Sequence, residues 1–349
     1  MLDKLPQSKR LAIAVALALI FFVAYDHFYL SKIRAAMEAN ATATQSAQNT
    51  AAPQTSAAGA GTQGANLNTA NSVSAPLVRV IGKEANFTID GLGRISSYLL
   101  NDAKFRDGNG EALNLIDVKS HSKPLEVRFE DAALNAMAFN TPYSASSSEL
   151  DVRNGEAGVS LSQNLGSVAI TKNLTFFPNG SYKLDVKLNG SAPYFITPGS
   201  RPNVEVDNYT IHGVIVGKPG EARIFDKLTS FFTDSQSTKE NVEIFKDGDV
   251  DSNERISNAN IAASSDRYYT TLFYGNNMDV TVTDADKISQ VFIRSNGNFS
   301  ATGYLGAKDH ATLNSIDPVL TNIIEYGWFT FIARPMFKFL NWLHGYIGN

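Results

Sequence analysis

The chain has 349 residues, with 30 Lys and Arg against 34 Asp and Glu and a net charge of -4, so it carries no basic field for nucleic acid. It contains no cysteine, which excludes disulfides, thiolate catalysis and Cys-ligated zinc together. Its five histidines, His27, His121, His212, His310 and His344, stand far apart in sequence.

At the N-terminus Lys4, Lys9 and Arg10 precede an unbroken apolar run of 15 residues, Leu11 to Tyr25. His27 to Leu30 extend it to the roughly 20 residues needed to cross hydrocarbon. A cleaved signal peptide would share the basic leader and the short apolar core. Cleavage after Ala24, however, would need a small residue at Phe22, and Ala39-Asn-Ala41 lies well past the core. Residues 1–38 therefore read as a leader and an uncleaved transmembrane anchor. Three basic residues before the span against Lys32 and Arg34 after it favour a cytoplasmic N-terminus, with the bulk of the chain outside.

From Ala39 to Val78 no residue is charged, and Ala, Thr, Ser, Gln, Asn and Gly dominate. Such a segment buries too little apolar surface to offset chain entropy, so residues 39–76 are expected to be a flexible polar tether. Glu38-Ala-Asn40-Ala-Thr42 and Glu84-Ala-Asn86-Phe-Thr88 fit an extended glycosylation acceptor with an acidic residue two before the Asn. Plain acceptors recur at Asn173, Asn179, Asn189, Asn208 and Asn298. A chain rich in Asn and Thr makes them by chance, which argues against a glycan.

Residues 77–312 are β throughout. Leu125-Glu-Val-Arg-Phe-Glu130 and Tyr182-Lys-Leu-Asp-Val-Lys-Leu188 alternate strictly, which predicts strands with one buried face. Asn-Gly pairs at 109, 154, 179, 189 and 296 supply the positive backbone angles of tight hairpins, and no long amphipathic helix intervenes before about Leu313. These 236 residues are too many for a small immunoglobulin-like unit, so one large antiparallel two-sheet β-sandwich is expected, folding alone without metal.

Residues 313–349 are expected to form a short helical tail. Tyr326 to Asn349 holds eight aromatic residues, including both tryptophans. Met336, Leu340, Leu343 and Ile347 recur at helical spacing, and Pro335 allows a bend at the start of that helix. Rings with a polar edge settle among lipid headgroups, so Trp328, Phe331, Phe337 and Trp342, with Arg334 and Lys338 toward anionic phosphates, are the candidate membrane-interface residues.

Catalytic constellations are not found, and the chain reads as a protein without enzyme activity or cofactor. Asp247-Gly-Asp249-Val-Asp251-Ser-Asn253 matches the first four ligand positions of an EF-hand loop. Ser252 then stands where Gly is needed, and Asn258 where a bidentate Glu should close the site. A solvated acidic loop is expected instead. His212, before Gly213, could join a mutarotase-like acid–base pair, but a lone strand histidine is expected to be structural or exposed.

Gly303-Tyr-Leu-Gly-Ala-Lys308, Ile324-Glu-Tyr-Gly-Trp-Phe329, Ala333-Arg-Pro335, Trp342-Leu-His344 and Gly348-Asn349 follow one another in the order and spacing that resemble the bacterial YidC membrane protein insertase family. The resemblance is dense over roughly the last 47 residues and agrees elsewhere in layout: anchor, polar linker, β-rich domain. It implies a galactose-mutarotase-like supersandwich in the periplasm, held in the inner membrane. The implied partners are the lipid bilayer, nascent inner-membrane proteins, and the Sec translocon with its accessory subunits. In that family the chain continues past this Gly-Asn into five membrane helices forming a hydrophilic groove, so a sequence ending at Asn349 is expected to lack the inserting core. The alternative is an anchored sandwich that binds carbohydrate, which would need aromatic rings and carboxylates converging in one cleft.

Overall fold

The computed structural model describes residues 75–102, 105–106, 110–116, 122–202, 204, 212–219, 240–250 and 253–324. By compactness the chain divides between Thr62 and Gln63, and every described residue lies in the second unit. The expected anchor, most of the tether and the aromatic tail fall outside the described residues. Among those described, no helix is long and apolar enough to cross a membrane.

The chain first lays down β1 (Pro76–Ile81), β2 (Ala85–Asp90) and β3 (Ile95–Leu100), then a short β4 (Val127–Phe129) and helix α1 (Ala132–Asn140). Asp131 caps α1, accepting from Leu134 N–H at 2.7 Å. There follow β5 (Ser144–Ala145), β6 (Glu149–Asp151), β7 (Ala157–Asn164), β8 (Ala169–Phe176), β9 (Ser181–Asn189) and β10 (Tyr194–Ile196). The last group is β11 (Gly213–Pro219), β12 (Glu240–Lys246), β13 (Glu254–Ser265), β14 (Tyr269–Ala285), β15 (Ile288–Ser295) and β16 (Phe299–Ala307), closed by α2 (His310–Ile316) and a 3-10 turn (Pro318–Ile323).

Among the described residues the strands form two sheets, as expected of a large sandwich. One has four strands in the order β3-β2-β1-β6, and the other has twelve, running β12-β11-β13-β14-β16-β9-β8-β7-β5 with β15, β10 and β4 branching from β14. Among the described residues all pairings are antiparallel except β1 with β6. The branch exists because β14 is 17 residues long and changes partner midway. Tyr269 to Tyr274 pair with β16 and Asp279 to Ala285 pair with β15. Between them Asn277 adopts φ +53, and opposite it β13 shifts register around Asn258 at φ +59. Asn tolerates these angles better than most side chains, and such bulges turn a strand from one neighbour to another.

In β9 the predicted alternation holds: Tyr182, Leu184 and Val186 are buried while Lys183, Asp185 and Lys187 are exposed. The Leu125 to Glu130 run departs from expectation. Leu125 has φ +71, the strand is only Val127–Phe129, and Glu126 and Arg128 are buried along with their apolar neighbours. Both faces are covered there, so polarity does not mark the outside.

A run of rings crosses the core from one sheet to the other. Phe87 stacks on Tyr98 at 5.4 Å and meets Phe176 edge-on at 5.0 Å; Phe176 then leads to Tyr182, Phe273 and Phe299. Gly303 of β16 lies under Tyr182, and a Cβ there would overlap the Tyr182 ring. Past the expected boundary at 312, Leu313, Leu320 and Ile323 are fully buried in a second apolar cluster with Ile215, Ile261, Leu272 and Tyr304.

Candidate functional site

Short segments distant in sequence meet where the two sheets join. The β2–β3 connection turns at Gly93, with φ +67, and Asp90 fixes it. Asp90 Oδ1 accepts from the N–H groups of Leu92 at 3.0 Å and Arg94 at 3.1 Å, while Oδ2 takes Nε and Nη2 of Arg94 at 3.0 and 2.8 Å. The third nitrogen of that guanidinium, Nη1, donates to Glu126 Oε2 at 3.1 Å. Glu126 Oε1 in turn receives Nε and Nη2 of Arg128 at 2.7 and 2.6 Å. Asp90 and Arg94 come from the smaller sheet, Glu126 and Arg128 from the larger. All four are at most 4 % exposed, so two carboxylates and two guanidiniums balance away from water.

Lys172 of β8 completes the joint. It is fully buried, and its Nζ donates to Gly93 O at 2.9 Å and Leu125 O at 2.7 Å. The same nitrogen lies 4.4 Å from the centre of the Tyr143 ring. Burial pulls its pKa down to about 7, with Asp90 and Glu126 restraining the fall and Arg94 adding to it. For Arg94 burial also opposes the charge, but Asp90 and Glu126 outweigh it and hold the pKa above its ordinary value. Burial pushes the Tyr143 phenol up.

This cluster is built to hold sheets together rather than to do chemistry. Asp90 is enclosed by one guanidinium and two backbone amides, and Glu126 by two guanidiniums. The adjoining cavity, lined by residues including Arg94, Glu126, Phe139, Tyr143 and Gln163, is about 10 Å³, room for about one water. Rings and carboxylates do converge here, yet in no cleft of sugar size. The sequence hides the cluster because Glu126 and Arg128 occupy the positions that an alternating strand gives to solvent. The readable signal was Asp90-Gly-Leu-Gly-Arg94, a tight turn bracketed by opposite charges.

Among the described residues, those singled out from sequence do not converge on one site; His212 and Asp247 alone meet, through the backbone. Trp328, Phe331, Arg334, Phe337, Lys338 and Trp342 lie outside the described residues, as does Asn40. Asn86 is exposed as the second residue of β2, paired with Ile81 and Leu99 on its two sides. The loop after β12 departs from the solvated reading: Asp247 Oδ2 accepts from Arg201 Nε at 2.7 Å, Oδ1 accepts from Ser289 N–H at 2.9 Å, and the side chain is 7 % exposed. Only this first carboxylate of the loop is drawn in, because it ties the end of β12 to β15, while Gly248 and Asp249 stay exposed as expected. The His212 carbonyl accepts from Asp247 N–H at 3.2 Å, a structural contact.

Residues 93–339 match the YidC periplasmic domain. The chain is similar to the membrane protein insertase YidC of Campylobacter jejuni, 41% identical over 98% of this chain and 62% of that protein. It is 35% identical to the YidC insertase of Wolinella succinogenes, over 99% of this chain and 62% of the relative. With the Helicobacter pylori insertase it shares 29% identity over all of this chain and 64% of the relative. The chain thus spans somewhat less than two thirds of the length of these relatives. Since the domain match takes in both sheets from Gly93 onward and the similarity runs nearly end to end, the chain belongs to the YidC membrane protein insertase family, of which it carries the periplasmic domain.

Proposed function

We propose that this chain serves a membrane protein insertase that helps nascent inner-membrane proteins to insert and fold. Residues 11–30 anchor it with the N-terminus in the cytoplasm, the uncharged stretch after Ala39 is a tether, and the sandwich stands in the periplasm. There the sandwich docks against the translocon or its accessory subunits. Beyond Ile324 the aromatic tail lies in the membrane interface, with Trp328, Phe331, Phe337 and Trp342 among the headgroups and Arg334 and Lys338 toward phosphates. The observation that carries this reading is the similarity to named insertases along 98% of the chain. The activity belongs to a protein as long as those relatives, so the test uses one.

In a full-length Campylobacter jejuni insertase, the matching segment is replaced by this chain, and the hybrid is expressed in cells depleted of their own insertase. Insertion of a reporter membrane protein, read by protease protection, is expected to recover. A hybrid that accumulates in the membrane without restoring insertion overturns the reading. Topology is tested in the same strain. The chain has no cysteine, so one introduced at Tyr268, which is 59 % exposed, is a unique handle. A membrane-impermeant maleimide should label it in cells with a permeabilised outer membrane, whereas labelling only after lysis would place the sandwich on the other side.

A further inference from the structure

Lys172 stands in unusual company for a buried cation. Its cross-strand neighbours in register are Leu161 on β7 and Val186 on β9, both buried and apolar. The groups that face it from other elements are Asp90 and Arg94 at the β2–β3 turn, Glu126 with Arg128 beyond it at β4, and Tyr143 ahead of β5. Both carboxylates are already matched by the two guanidiniums, so a charged Lys172 is a third cation among two anions. Its own hydrogen bonds go to two carbonyls, Gly93 and Leu125, and to no carboxylate. The two N–H bonds of a neutral amine satisfy both carbonyls. The Tyr143 ring face, 4.4 Å away, and the charges of Asp90 and Glu126 favour the third proton, and burial with Arg94 opposes it more strongly.

Those carbonyls belong to different sheets: Gly93 lies between two strands of the smaller sheet, and Leu125 leads into β4 of the larger. We propose that Lys172 is a proton-operated latch between the sheets, tight when its amine is neutral and weakened when it is charged. Opening the joint would return the amine to water and its ordinary pKa of 10.5, against about 7 when closed. Between those values the open form holds the extra proton, so the latch tightens as pH rises above about 7. Below about 7 both forms are charged and the latch stays at its weakest.

Hydrogen exchange on the full chain in detergent, corrected for the chemical pH dependence of amide exchange, reads the latch directly. Opening of segments 88–98 and 122–130 is expected to fall by roughly ten-fold between pH 6 and pH 8, given those two pKa values. Segment 181–189 in β9 is expected to stay level. Lys172→Gln keeps an N–H₂ donor pair for the carbonyls but cannot titrate, and should abolish the pH dependence while preserving protection. A wild-type curve that is flat over pH 6 to pH 8 overturns the latch, as does the same dependence in Lys172→Gln. Lys172→Met, which also cannot titrate, gives the same comparison where the glutamine variant does not accumulate. If neither variant accumulates, the wild-type curve decides alone.

Discussion

The two sheets are joined twice along the same pair of strands, by opposite means. In the middle of β2 and β3, Phe87 and Tyr98 hand over to Phe176, Tyr182, Phe273 and Phe299 through ring contacts of 5.0 to 6.5 Å. At their turn, Asp90 and Arg94 hand over to Glu126, Arg128 and Lys172 through hydrogen bonds of 2.6 to 3.1 Å. The apolar joint is additive: each ring contributes burial and about 0.5–1.5 kcal/mol of ring–ring preference beyond it. Losing one leaves the others. The ionic joint behaves otherwise, since every member is desolvated and stays tolerable only while its partners remain. One joint gives graded strength, the other an all-or-none lock that fixes which turn meets which strand.

That contrast can be broken in four ways, measured by urea unfolding of residues 75–324 followed by tyrosine circular dichroism, since both tryptophans, Trp328 and Trp342, lie beyond this segment. Glu126→Ala should have the largest effect, because it leaves the buried Arg128 guanidinium without its carboxylate and takes from Arg94 the second of its two, at a cost of about 3–5 kcal/mol. A loss under about 1 kcal/mol would mean that the pairs are not desolvated. Gly303→Ala forces a methyl into the Tyr182 ring, which is enclosed on all sides, and should cost about 3 kcal/mol. An unchanged midpoint would show that the ring has room to move. Phe176→Leu keeps the volume roughly while removing two ring contacts, and should cost only about 1–1.5 kcal/mol. A larger loss would make the apolar joint as brittle as the ionic one. The smallest net effect should come from Arg94→Met, Glu126→Leu and Arg128→Met together with Asp90→Asn. The asparagine oxygen keeps the turn amides of Leu92 and Arg94 paired while the charges are removed as a set. Stability within about 2 kcal/mol of wild type would confirm that the cost of Glu126→Ala is that of stranded charge.

How far the chain can be read from sequence follows the same divide. The β9 pattern was legible because one face of that strand meets solvent, so alternation in polarity is alternation in burial. Glu126 and Arg128 were illegible because β4 is covered on both faces, and a charge buried against another charge looks like a surface charge in one dimension. Turns were half legible. Asn179-Gly180 closes the β8–β9 hairpin with Gly180 at φ +82, but Asn189-Gly190 and Asn296-Gly297 carry the chain between strands that do not pair. A positive angle serves a crossing as well as a hairpin. Conversely, the β14–β15 hairpin turns on Asp286 and Lys287 at φ +56 and +64, held in part by Asp284 accepting from Lys287 N–H. Neither residue advertises that angle. Helix α1 went unread because its nine residues include no charge and bury only Asn135 and Ala138, which leaves no amphipathic stripe to find. As for the membrane-interface residues, they were read from composition, and they lie outside the described structure.

The place of β16 in the strand order sets a timetable. It pairs with β9 on one side and β14 on the other, and it is the link in the larger sheet between β5-β7-β8-β9 and the rest. A chain emerging N-terminus first makes β9 long before, and β14 shortly before, Phe299–Ala307 arrives. Until then two open strand edges coexist, each able to pair with the wrong neighbour or another chain. The glycine that lets β16 lie against Tyr182 is therefore needed at the final step of assembly, when the ring is already in place. A chain stalled before residue 299 would be the species most in need of a chaperone.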